Sequence, residues 1–139
     1  MPTDNGISFK YKNVGEGKYR PIIPIEIEFT DTIRYEVLVD SGADFSIFDA
    51  EVAEAIGIED LTTGERFSFG GVTGEEEIGY RHKVTLRIRD CSYQVKVGFS
   101  EHIRQDGTGI VGQKGFFDMF SVKFDYSKKS VVLRKKDWT

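Results

Sequence analysis

Apolar and polar residues alternate over much of this chain, and a period of two predicts strands with one buried face. Ile7, Phe9 and Tyr11 predict a short first strand, followed by a glycine-containing loop over Asn13 to Lys18. Ile23, Ile25, Ile27 and Phe29 alternate with Pro24, Glu26 and Glu28; Pro21 and Pro24 place the start of that strand at a sheet edge. Thr30-Asp31-Thr32 turns the chain into a returning strand, Ile33 to Val39. Arg66 to Phe69 predicts a strand that runs into a glycine-rich hairpin tip, Gly70 to Gly74. Along Ile78 to Arg89, Val84, Leu86 and Ile88 share one face, with Thr85, Arg87 and Arg89 on the other. Tyr93, Val95, Val97 and Phe99 form the next alternating strand after a turn at Asp90-Cys91. A last hairpin joins Val122–Tyr126 to Ser130–Leu133.

The period changes to four in one place only. Phe48, Val52 and Ile56 predict a short helix, with Ser46 and Asp49 at capping-box spacing and Gly57 as its stop. Phe116, Phe117, Met119 and Phe120 crowd into one turn after Gly115 and predict a second short helix of core residues. Ser100 to Gly109 reads as a polar loop, and Ile110-Val111-Gly112 as a very short apolar strand. About eight strands, two short helices and no long linker or repeat predict an all-β barrel or sandwich in a single domain spanning residues 1–139.

Composition narrows the class. A chain of 139 residues with a formal charge of −4 carries no electrostatic footprint for nucleic acid and no polybasic membrane anchor. No apolar run approaches the ~18 residues of a membrane span. The stretch Met1 to Gly6 lacks the basic and apolar regions of a signal peptide. Cys91 is the only cysteine, so no internal disulfide forms, and a cytoplasmic location is expected. His82, Cys91 and His102 lack a fourth ligand and zinc-site spacing, so neither metal nor other cofactor is expected. No G-x-S-x-G and no glycine-rich turn opening a helix is present, which removes serine hydrolase and nucleotide-binding readings.

The chemistry concentrates after Val39. There an apolar strand ends in Asp40-Ser41-Gly42-Ala43-Asp44, an acidic side chain where the apolar run stops. Taken alone, Asp-Ser-Gly is ordinary turn composition. In this chain it is followed, in order, by the glycine-rich tip Gly70-Gly71-Val72-Thr73-Gly74 and by Ile110-Val111-Gly112 with its short helix and final hairpin.

That ordered set resembles the retroviral-type, or retropepsin-like, aspartic proteases in their stand-alone cellular form, over roughly Ile22 to Leu133. The resemblance implies a single-lobe, closed β-barrel that works as a C2 homodimer. Only one Asp-Ser-Gly is present, so the two carboxylates that share a water in such enzymes would be Asp40 from each of two copies. It implies further roles. Asp40 serves as base and acid in turn; the Ser41 hydroxyl ties the two active loops together; Gly42 admits close approach of substrate backbone. Ala43, Asp44, Gly70, Gly71, Val72, Thr73, Gly74, Ile110, Val111 and Gly112 contact an extended peptide lying under a flap. Protein or peptide substrate and a second copy of the chain are the implied partners.

Two positions depart from the family. Gln113 stands where retroviral enzymes carry Arg, and can offer Asp44 a hydrogen bond but no bidentate ion pair. Ala43 has no hydroxyl to donate to the catalytic carboxylate, unlike pepsin-like lobes, which predicts a less acidic optimum. The basic stretch Ser130 to Lys136 is expected to form the dimer sheet. Two rival readings remain: a peptide-binding or dimerisation module that keeps the fold without turnover, and a generic barrel whose Asp-Ser-Gly is a turn.

Overall fold

The computed structural model describes residues 6–70, 74–103 and 106–136. Among these are twelve strands and one α-helix. The N-terminal part comprises β1 (Gly6–Lys10), a β2/β3 hairpin (Lys12–Gly15 and Lys18–Arg20), then β4 (Ile22–Glu28) and β5 (Thr32–Val39). A three-residue strand, β6 (Ile47–Asp49), leads into α1 (Ala50–Ala55). The long hairpin β7 (Glu65–Gly70) and β8 (Glu76–Ile88) follows, then β9 (Cys91–Ser100), β10 (Gly109–Val111), β11 (Phe120–Asp125) and β12 (Ser130–Lys135).

Six strands close into a barrel. The order runs β4-β5-β10-β6-β9-β8, and β8 pairs back onto β4 through Glu26↔Arg87, Ile27↔Leu86 and Glu28↔Thr85. One edge of β8 is therefore divided: Glu76 to Arg81 carry β7, and Thr85 to Arg87 carry β4. The alternation read from sequence sets the faces, since Ile23, Ile25, Ile27, Val37, Val84, Leu86, Ile88, Val97 and Phe99 are all buried in one core. Burying side chains of this size contributes about 1.5–3 kcal/mol each. The expected closed all-β barrel is what the chain forms.

A second sheet, ordered β1-β12-β11, places Phe9, Val131, Leu133 and Phe120 in the same core. This corrects the expectation for Ser130 to Lys136. Both edges of β12 are occupied, by β1 through Ile7↔Leu133 and by β11 through Val122↔Leu133, so β12 has no edge to offer a second copy.

Three local expectations change. Ser46 is not the helix cap: Asp49 caps α1, its Oδ1 accepting the Glu51 N–H at 2.9 Å, and residues 47–49 form β6. Phe116 to Phe120 form a single hydrogen-bonded turn, with the Met119 and Phe120 N–H groups both donating to the Phe116 carbonyl, and not a helix. The loop expected over Asn13 to Lys18 is the tip of the β2/β3 hairpin. Among the described residues no helix is long and apolar enough to cross a membrane.

Candidate active site

β5 pairs in parallel with β10, matching Val37, Leu38 and Val39 with Gly109, Ile110 and Val111. At the end of that ladder the Asp40 N–H donates to the Val111 carbonyl at 3.0 Å. Asp40 thus leaves the barrel with its backbone pinned and its side chain half-buried. The chain then reverses: the Ala43 N–H donates to the Asp40 carbonyl at 3.2 Å, and the Gly42 N–H donates to Asp40 Oδ1 at 2.9 Å. Ser41 and Gly42 at the apex of this turn are exposed. Oδ1 is held by the Gly42 backbone, and among the described residues none donates to Oδ2.

The loop is supported from beneath by residues 112–115. The Gln113 N–H donates to the Ala43 carbonyl at 2.8 Å and the Lys114 N–H to the Asp44 carbonyl at 3.0 Å. Gly112 is buried under the same loop; a Cβ there would lie 2.5 Å from the carbonyl oxygens of both Ala43 and Phe45. Glycine is required by the approach of one backbone to another, not by an unusual torsion. Ser46 binds this layer together: its Oγ accepts the Gly112 N–H at 3.1 Å and donates to the Lys114 carbonyl at 2.9 Å, and its carbonyl accepts the Gly98 N–H. The Gln113 side chain donates from Nε2 to the Ser41 carbonyl at 3.0 Å, not to Asp44 as its position had suggested. With its own backbone bound to Ala43, the amide reaches the loop apex.

β10 rests on Tyr35, whose hydroxyl donates to the Gly107 carbonyl at 2.6 Å and accepts the Asp49 N–H at 3.2 Å. Burial, aided by the nearby carboxylates Asp49 and Asp106, pushes this phenol far above its ordinary value. It therefore stays neutral and acts as a fixed strut between β6 and the loop entering β10.

A cleft of about 340 Å³ opens beside the loop, lined by Ala43, Asp44, Phe45, Ile47, Ser68, Phe69, Gly70, His102, Ile103 and Ile110. Four predicted contact residues meet here: Ala43, Asp44, Gly70 and Ile110. Val111 and Gly112 lie buried behind the wall and support it. The end of β7 contributes Ser68, Phe69 and Gly70 to the cleft, and Gly70↔Glu76 is the outermost pair of the β7/β8 hairpin. Gly74 is exposed beyond that pair at φ 85°, while Gly71, Val72 and Thr73 at the tip lie outside the described residues. Sequence reasoning did not find Phe45, Ile47, Ser68, Phe69, His102 or Ile103. Phe45 and Ile47 carry a signal in retrospect, since they continue the alternation from Ala43. His102 and Ile103 sit in a stretch read only as polar loop. His102 faces Glu77 of β8 at 3.4 Å.

A larger and more open hollow of about 710 Å³ runs along α1, rimmed by Asp49, Glu51, Glu54, Glu59 and Glu101. None of the candidate catalytic or substrate-contact residues lines it. Among the described residues no group of three His, Cys, Asp or Glu side chains could hold a metal ion.

The fold has known counterparts. A retropepsin-like aspartic protease from Rickettsia conorii superposes with a TM-score of 0.66 at 17% identity, over 94% of this chain and 100% of that one. The protease of EIAV, solved with an inhibitor, superposes with a TM-score of 0.54 at 20% identity, over 73% of this chain and 88% of that one. The fold is retropepsin-like. In sequence the chain stands apart: no protein-family model matches it, and no curated protein does. Within this fold Asp40 ends the barrel strand β5, and Asp40, Ser41 and Gly42 are not among the residues that line the cleft.

Proposed function

We propose that this chain is one half of a homodimeric aspartic endopeptidase that cleaves peptide bonds in extended protein segments. The observation that carries the proposal is the setting of Asp40. Asp40 ends β5 in a backbone-pinned turn, its Oδ1 accepting the Gly42 N–H, and the residues that follow it, Ala43 and Asp44, line an apolar cleft together with the end of β7. An Asp that accepts the N–H two residues on also makes an ordinary Asx turn; what sets this one apart is its place at the end of the β5–β10 ladder, directly before the residues that line the cleft. The retropepsin-like fold supports the same reading.

The chain supplies a single such carboxylate, so catalysis requires Asp40 of a second copy across a C2 axis. Two carboxylates ~3 Å apart cannot both be ionised, which leaves one base and one acid. The charged Asp40 takes a proton from the shared water while the protonated one donates to the substrate carbonyl oxygen. The resulting tetrahedral diol collapses as the protonated Asp40 gives its proton to the amide nitrogen and the charged one takes a proton from a diol hydroxyl; the C–N bond breaks, and the pair is left singly protonated. The Ser41 hydroxyl, exposed at the apex, joins the two loops across the axis. The peptide lies along Asp44 and Gly70 as an added strand. Its side chains alternate, and one enters the cleft. With its single cysteine, Cys91, free, the protein works in the cytoplasm.

A second reading follows from the cleft being complete in one copy while the carboxylate pair is not: a peptide-binding module without turnover. One experiment separates the two. A peptide library is digested with the wild type and with Asp40→Asn, while sedimentation records the oligomeric state. Cleavage by a wild-type dimer that disappears in Asp40→Asn is the expected result. Binding without cleavage by the wild type selects the module, and cleavage that survives the substitution removes Asp40 from the chemistry.

A further inference from the structure

We infer that Arg81, which lies outside the cleft, sets the width of that cleft by fixing the ring of Phe45. The inference rests on the cleft being the substrate site and goes one step further, to what selects the side chain that enters it. Phe45 follows directly after Asp44, and its ring is a partition. On one side it lines the cleft with Ile47, Phe69 and Ile110. On the other it lines a second hollow, of about 390 Å³, shared with Arg81, Lys96, Lys114 and Asp118. Between two hollows the ring leans on Phe67 and stands 6.0 Å from the Lys114 ammonium, loose packing that leaves a further reason needed for it to keep one rotamer.

Arg81 provides that reason. Its guanidinium carbon stands 4.6 Å from the Phe45 ring centroid and 4.3 Å from that of Phe67, while the two centroids are 6.3 Å apart. Those three distances make nearly a right angle at the guanidinium, so it caps the notch between the rings from the side away from the cleft. The cap is itself fixed. Arg81 Nη1 pairs with Glu65 Oε1 at 3.1 Å, and the side chain is only 21% exposed. Phe67 is buried and lies over Gly79 and Gly98, where a Cβ would come within 2.7 and 2.4 Å of its ring. Barrel wall, Phe67, Arg81 and Phe45 form one continuous stack. An arginine over an aromatic face is common surface packing. Here the covered ring is also a wall of the cleft, and that gives the contact a consequence.

With the guanidinium removed, Phe45 can turn into the second hollow, and the cleft widens. Arg81 is thus a positioning residue whose loss favours large apolar side chains over small ones. The test is a set of peptides differing only at the residue that enters the cleft, from Val through Leu to Phe and Trp. It compares the wild type with Arg81→Gln, Arg81→Lys and Phe45→Leu. Arg81→Gln should raise the Phe-to-Val ratio of kcat/KM by a factor of roughly 2 to 5, the size of one exposed cation–π contact. The change should fall in KM, with kcat retained. Phe45→Leu should shift the ratio the same way and further, and Arg81→Lys, which keeps a cation, should return it toward wild type. A uniform loss across all peptides, or an unchanged ratio, overturns the inference. If the wild type binds these peptides without cleaving them, the protease reading fails alone, and the same ratio is taken from dissociation constants. Peptides that the wild type neither binds nor cleaves overturn both.

Discussion

Gly112 lies so close beneath Ala43 that a single added carbon would stand 2.5 Å from the Ala43 carbonyl oxygen. Two backbone segments cross here, and neither has a flexible end that can give way. Gly112→Ala should therefore cost about 1–3 kcal/mol or more through overpacking. Because the displaced segment is the turn that holds Asp40, peptide cleavage should fall further than stability does. Urea unfolding and peptide digestion, run on the same preparation, measure the two losses separately.

Ser46 is buried and spans the Gly112 N–H and the Lys114 carbonyl. Ser46→Ala leaves the buried Gly112 N–H and the part-buried Lys114 carbonyl without that partner, at a cost of about 1–3 kcal/mol. Ser46→Cys, similar in shape with a weaker donor and acceptor, should fall between. If unfolding midpoints place Ala level with wild type, the hydroxyl is not the tie described above.

The alkaline limit of stability should be set by Tyr35 and Tyr93. Burial raises both phenols above the ordinary 10.0, with the Asp118 carboxylate adding to the effect at Tyr93. The sign follows from linkage. A folded-state value above the unfolded one contributes stability that is complete below about pH 10 and is lost as pH rises beyond it. Tyr93→Phe gives up the bond from its hydroxyl to the Gly115 carbonyl and should be less stable at neutral pH. Its stability should then decline less steeply than that of wild type up to about pH 11, as should that of Tyr35→Phe. Parallel decline of all three proteins would assign the alkaline loss elsewhere.

Ala43→Thr places a hydroxyl within the turn whose first residue is Asp40. A hydroxyl donating to a carboxylate favours its charged form. The acidic limb of the pH–rate profile should move to lower pH, with the basic limb less affected. An acidic limb that stays in place would show that the hydroxyl does not reach the carboxylate.

How much of this was legible beforehand differs between the barrel and the site. The barrel strands announce themselves because each buries one face: Ile23, Ile25 and Ile27 alternate in sequence and are buried in the fold. β6 did not, since three residues are too few for a period to show. Ser46 with Asp49 also has the spacing of a helix cap, yet the Ser46 hydroxyl turns inward toward residues more than sixty positions away. The pairing of β1 with β12 joins the two ends of the described chain, and nothing local to either strand encodes it. In the candidate site, the turn at Asp40-Ser41-Gly42 was readable from residue type, whereas Gly112, expected to touch a peptide, lies buried beneath the Ala43 and Phe45 carbonyls. Most of the cleft was not readable. Phe69 on one side and His102 with Ile103 on the other come together there because two separate segments fold against the Asp44 loop, and neither carries a mark of its neighbour.

β8 is a single strand with two employments along one edge, and that couples them. Its outer portion, Glu76 to Arg81, is an arm of the β7/β8 hairpin; its inner portion, Thr85 to Arg87, is the seam that closes the barrel on β4. His82, between them, is held where its Nε2 meets the Leu61 carbonyl at 2.7 Å. No turn or break separates the two portions, so the hairpin arm has no hinge of its own between Arg81 and the three residue pairs that close the barrel.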